Sequence, residues 1–80
     1  MTGARRLAVP RRARVATDGD GQPRTVDGQP VDGIRETWLL EDRWWTEEPL
    51  RRRYWEVVTV SGRDQVVFHD LITGDWWRQR

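Results

Sequence analysis

Leu50-Arg51-Arg52-Arg53-Tyr54-Trp55-Glu56-Val57-Val58-Thr59-Val60, then Ser61-Gly62-Arg63-Asp64, then Gln65-Val66-Val67-Phe68-His69-Asp70-Leu71-Ile72, is the stretch that decides the fold. Tyr, Trp, Val and Thr dominate the first run, and these are the side chains that fit a pleated surface. The second run has the same character, and the Ser-Gly-Arg-Asp between them reads as a hairpin turn. Downstream, Thr73-Gly74 turns the chain into a last strand, Asp75 to Arg80. Upstream, Thr46-Glu47-Glu48-Pro49 is a polar loop, and Ile34 to Trp45 reads as a longer strand after a break at Gly33. Further back, Asp27-Gly28-Gln29-Pro30 and Asp18-Gly19-Asp20-Gly21 are turns around short strands at Pro23–Val26 and Arg12–Thr17. The apolar residues of 35–45 fall at 38, 39, 40, 44 and 45, a tolerable helical stripe. No good cap precedes that stretch, however, and Trp, Thr and Ile favour a strand.

Hairpin turns set register, and register sets faces. A loop at 61–64 puts Val60 opposite Gln65, Val57 opposite Phe68 and Glu56 opposite His69. The Thr73-Gly74 turn puts Leu71 opposite Trp76, Asp70 opposite Trp77 and His69 opposite Arg78. A loop at 46–49 puts Trp45 opposite Leu50, Leu40 opposite Trp55 and Trp38 opposite Val57. One face then collects Trp38, Leu40, Trp55, Val57, Val66, Phe68 and Trp77, with Asp70 at its rim, as a core. The other face carries Leu39, Tyr54, Leu71, Trp76 and Trp45, beside a polar row of Glu56, His69 and Arg78.

The expected fold is all-β: a small, strongly bent antiparallel sheet, or an SH3-like partly open barrel, of five to six strands. Residues 1–11 read as a disordered Arg-rich arm and residues 12–80 as a single domain. Eighty residues allow one domain at most. Six tryptophans must then supply much of its apolar surface, four of them in the adjacent pairs Trp44-Trp45 and Trp76-Trp77. Neighbours on a strand point to opposite faces. About two of these indoles should therefore stay partly exposed, and an exposed aromatic patch marks a contact surface.

Composition excludes several classes of function. There is no cysteine, hence no disulfide, thiol nucleophile or Cys-ligated zinc, and no sign of an oxidising compartment. No apolar run reaches the roughly 18 residues of a membrane span. No apolar stretch follows the basic N-terminus, so it does not read as a secretory signal. A cytoplasmic protein is expected. All 14 basic residues are arginine, which codon bias in a GC-rich genome explains as readily as selection for guanidinium. Residues 1–14 hold five arginines and no acid, a charge of +5, whereas residues 15–80 hold nine arginines and 13 acids, a charge of −4. A basic arm on a mildly acidic body occurs in chains that touch nucleic acid or acidic proteins, and also in solvated tails without a partner.

No residue set points to catalysis. His69 is the only histidine, with Glu56 and Arg78 as its expected neighbours and no serine or cysteine nucleophile beside it. A surface row of polar cross-strand pairs accounts for it. Asp18-Gly19-Asp20-Gly21 resembles the start of a calcium loop, but the twelfth position is Gln29 instead of Glu, and turn chemistry explains the residues. Hence no enzyme, cofactor or metal is expected. The expected role is a non-catalytic binding module for a protein partner, with single-stranded nucleic acid as the alternative, since aromatics interleaved with arginine form a stacking and phosphate-binding platform. The expected surface is Trp45, Arg53, Tyr54, Trp76 and Arg78.

Arg53-Tyr54-Trp55-Glu56-Val57-Val58, followed by Phe68-His69-Asp70-Leu71, Thr73-Gly74 and Asp75-Trp76-Trp77, resembles small actinobacterial domains of unknown function. Those domains are similar to the C-terminal segment of ImuB-type proteins, the inactive Y-family polymerase homologues of the mutasome. The resemblance spans about residues 12–80 and departs from the pattern after Trp77, where such segments continue. It implies an accessory module linked to DNA-damage tolerance, a mutasome component as the partner and no enzymatic activity. It carries over no site residue.

Overall fold

The computed structural model describes residues 9–43 and 45–80. Among them are seven strands and no helix: β1 (Arg11–Arg12), β2 (Val15–Thr17), β3 (Pro23–Val26), β4 (Gln29–Asp42), β5 (Leu50–Thr59), β6 (Asp64–Asp70) and β7 (Trp76–Arg78). Trp44 and residues 1–8 of the expected arm lie outside the described residues.

The strands make one antiparallel sheet in the order β1-β7-β6-β5-β4-β3-β2. Its two edge strands, β1 and β2, are consecutive in the chain and only Ala13 and Arg14 separate them. That short link forces the sheet to curl. Ala13 N–H donates to the Trp76 carbonyl at 3.0 Å on one side, and Asp27 N–H donates to the Arg14 carbonyl at 2.7 Å on the other. The expected strand at Arg12–Thr17 thus becomes two half-strands at the corner of a curled half-barrel.

The turns explain the register. Asp27 and Gly28 both have positive φ, 50° and 84°, the geometry of a two-residue type I′ turn between Val26 and its partner Gln29. The β5–β6 loop is different. Thr59 N–H donates to the Arg63 carbonyl at 3.0 Å, and Gly62 N–H, at φ 85°, donates to the Thr59 carbonyl at 2.8 Å. This is a three-residue loop, Val60–Gly62, with glycine in the left-handed position. Val57 consequently faces Gln65, Tyr54 faces Phe68 and Arg53 faces His69. The expected pairing of Val57 with Phe68 is off by an odd number of residues. Gly62→Ala should cost about 1–2 kcal/mol in urea unfolding, because the penalty is purely that of the backbone. A Cβ there would meet nothing within 4 Å. Gly62→Asn should recover most of the loss, and an alanine variant as stable as the parent would contradict this turn.

The β6–β7 connection is a four-residue loop. Asp70 N–H donates to the Asp75 carbonyl at 2.8 Å, and the Asp70 carboxylate accepts the N–H groups of Ile72 and Thr73 at 2.8 and 3.1 Å. His69 therefore pairs with Trp76 and Phe68 with Trp77, two residues from the expected register, an even slip that leaves the faces unchanged. The third loop departs furthest. β4 ends at Asp42 because Arg43 takes φ 55° and its carbonyl accepts both the N–H and the Oγ1–H of Thr46, at 2.9 and 2.8 Å. Asp42, not Trp45, faces Leu50, and Trp38 faces Tyr54. That slip is odd again.

Two odd slips on either side of β5 invert that strand alone. Tyr54 joins Trp38, Phe68 and Trp77, while Trp55 and Val57 move to the face of Trp76. Each face then holds a small core. The inner one is Val26, Trp55, Val57 and Val67, with Val15, Val31, Ile34 and Trp76 against it. Two bulges in β4, at Asp32 and Arg35, let Val31 and Ile34 both reach it. The outer core is Tyr54, Val66 and Phe68 with Trp77.

Candidate functional site

Aromatic rings cross both faces of the sheet. On the outer face Trp38, Tyr54, Phe68 and Trp77 form a ladder over β4, β5, β6 and β7. Its centroid spacings are 5.2, 5.0 and 6.4 Å, with Trp38 and Tyr54 parallel to within 1°. Arg52 lies 4.4 Å over the Phe68 ring and Arg12 lies 5.3 Å over Trp77. Each such contact adds about 0.5–1.5 kcal/mol beyond simple burial. On the inner face Trp76 contacts Trp55, 5.1 Å away and tilted by 33°, and His69, stacked at 4.5 Å and 1°.

The expected surface is divided by this arrangement. Trp76, Arg53 and Arg78 share the inner face. All three are half-buried, and Arg78 reaches Asp27 at 3.7 Å. Tyr54 lies in the outer core, buried at 9% exposure, the consequence of the inverted β5. Trp45 is exposed in the β4–β5 loop. His69 has Arg53 and Trp76 as its neighbours; its expected partner Glu56 faces Val66 on the opposite face.

Sequence reasoning missed an exposed run of three apolar residues on β4. Trp38 and Leu40 were expected in the core, yet Trp38, Leu39 and Leu40 are 37%, 39% and 38% exposed in consecutive positions. The cause is topological. β3 pairs with β4 only at Gln29 and Pro30, so beyond them β4 has β5 on one side and, among the described residues, no strand on the other. The backbone shows which groups are open. Leu71 N–H donates to the Arg51 carbonyl, so Arg51 turns its backbone to the β6 side of β5. Alternation along an antiparallel strand then turns Leu50, Arg52 and Tyr54 to β4, where Asp42, Leu40 and Trp38 answer them. Thr37, Leu39 and Glu41 therefore direct N–H and C=O to the open edge. Exposed acids flank the apolar centre: Glu36 at one end, and Asp42 at the other.

Among the described residues no helix is long and apolar enough to cross a membrane, and no group of three potential ligands converges as a metal site. Comparison of the chain with protein-family models, with curated proteins and with solved structures finds no match.

Proposed function

We propose that this chain is a non-catalytic accessory module that takes an extended segment of a protein partner as an additional strand along β4. One observation carries the proposal: open backbone groups at Thr37, Leu39 and Glu41 coincide with exposed apolar side chains at Trp38, Leu39 and Leu40. In strand addition the main chain supplies affinity and alternate side chains supply specificity. The complementary segment is apolar at its centre with arginine or lysine at its ends, facing Glu36 and Asp42. A second copy of this chain fits less well. Antiparallel self-pairing about Leu39 matches Trp38 with Leu40 but sets Glu36 against Asp42, and like charges directly opposite are destabilising. Base stacking on Trp76 is disfavoured too, because His69 already stacks on its ring and Trp55 packs against it.

The resemblance to the C-terminal segment of ImuB-type proteins supports a partner within the translesion-synthesis assembly, and with it a cytoplasmic setting. The test is NMR titration of the labelled chain with the ImuB-type protein of the same genome. Shifts and amide protection should concentrate at residues 37–41, and Leu39→Pro should weaken binding at least tenfold. Shifts that avoid β4, or binding indifferent to Leu39→Pro, would refute strand addition.

A further inference from the structure

At the opposite end of the sheet, where β1 pairs with β7, arginines gather without enough acid to match them. A cleft of about 530 Å³ is lined by Arg11, Arg63, Arg78 and Arg80, with Asp64 and Gln65. Arg11 and Arg78 are direct cross-strand partners on β1 and β7. Like charges in such positions repel, and the pairing rules of a sheet disfavour them. The nearby carboxylates offer little compensation. Asp64 is engaged by Arg35 at 3.0 Å, and Asp27 reaches Arg78 only at 3.7 Å. Among the described residues Arg11, Arg63 and Arg80 have no carboxylate within ion-pair distance.

Gln65 supplies a second, independent observation. It is only 8% exposed, it lines the same cleft, and its Oε1 is buried without a hydrogen-bond partner. A buried unsatisfied polar atom costs about 1–3 kcal/mol. The Nε2 donors of this amide are the groups that can meet an anionic oxygen in the cleft. A local violation of charge pairing next to an unsatisfied amide is the kind of conflict that folds retain at functional sites.

We propose that this cleft binds the phosphodiester backbone of a nucleic acid, with the guanidinium groups of Arg11, Arg63, Arg78 and Arg80 on successive phosphates and the Gln65 amide on a phosphate oxygen. Guanidinium forks match phosphate geometry, and their charge is independent of pH in the working range. The cleft is open and its arginines sit on separate elements: β1, the β5–β6 loop, β7 and the segment after it. That spread suits a polymer better than a single phosphate. Sequence is not read here, because no base-edge contact is needed.

The experiment is fluorescence anisotropy with labelled single-stranded and double-stranded oligonucleotides of mixed sequence. Three to four phosphate contacts predict an affinity that falls roughly 20- to 150-fold between about 50 and 200 mM salt. Arg11→Gln with Arg80→Gln should weaken binding about tenfold or more and flatten the salt slope by about half. Arg24→Gln with Arg43→Gln removes the same charge from exposed positions outside the cleft and should change affinity less than about twofold. Whichever probe binds more tightly identifies the source of the phosphates. Absence of binding at low salt overturns the proposal, as does an equal loss in the two double variants. Competition by polyglutamate as effective as that by unlabelled oligonucleotide overturns it as well.

Discussion

Phe68→Ala is expected to cost about 3–5 kcal/mol and leave the chain largely unfolded at room temperature. Phe68 is 1% exposed at the middle of the outer ladder. It contacts the Tyr54 ring at 5.0 Å, the Trp77 ring at 6.4 Å and the Arg52 guanidinium at 4.4 Å. Truncation removes all three contacts and leaves a cavity in a cluster of only three buried residues, which has little with which to refill it. It also strands the Arg52 side chain, whose Nε is already buried without a partner. Urea unfolding followed by tryptophan fluorescence measures the effect, and Val60→Ala, on an exposed loop residue, is the comparison expected within about 0.5 kcal/mol of the parent. A loss below about 1 kcal/mol at Phe68 would mean that the outer cluster is not a core.

That outer core is the feature least legible in the sequence. Strand positions, most turns and the all-β class follow from the composition of each segment, and Pro23–Val26 is recovered to the residue. Register is harder, for a specific reason. A strand reveals its buried face only when the other face is polar. In Tyr54-Trp55 and Val57-Val58 both parities are apolar, so the pattern fits either assignment, and loop length alone decides between them. A loop of three residues in place of two or four flips every side chain of β5. Because a second odd slip occurs between β4 and β5, the remaining strands keep their relation to one another, and the expected company of Trp38, Leu40, Val66, Phe68 and Trp77 survives with Tyr54 in place of Trp55.

The surfaces were legible to different degrees. The aromatic–arginine character of the sheet is plain from Arg53-Tyr54-Trp55 and Trp76-Trp77-Arg78. The arginine cleft is not, because Arg11 and Arg78 meet only through the pairing of β1 with β7, a long-range contact with no local signal. The open edge of β4 is hidden by its own hydrophobicity: Trp38 and Leu40 read as core positions, and only the topology shows that β3 departs after Pro30. An apolar edge is normally blunted by charge, bulges or proline. Here the bulges at Asp32 and Arg35 protect the root of the strand and leave the stretch from Thr37 to Asp42 regular.

Two proline substitutions at adjacent positions should therefore differ sharply. Leu40 directs its N–H to Arg52 on β5, inside the ladder. Leu40→Pro deletes that bond, leaves the opposing carbonyl unsatisfied at about 1–3 kcal/mol, and drives the pyrrolidine ring toward the partner strand. For a domain of this length that corresponds to a melting temperature lower by roughly 10–20 °C. Leu39 directs its N–H outward, the one orientation in which sheets accept proline. Leu39→Pro should melt within a few degrees of the parent and retain its spectrum. Thermal unfolding of the pair decides it, since equal losses, or the reverse order, would mean that the hydrogen-bond phase of β4 is the opposite of that inferred. The same substitution removes the central donor of the open edge and puts a ring where an incoming strand would lie. A chain that keeps its fold with Leu39→Pro but loses its partner separates the two roles of β4, with one set of backbone groups holding β5 and the alternate set left for another chain.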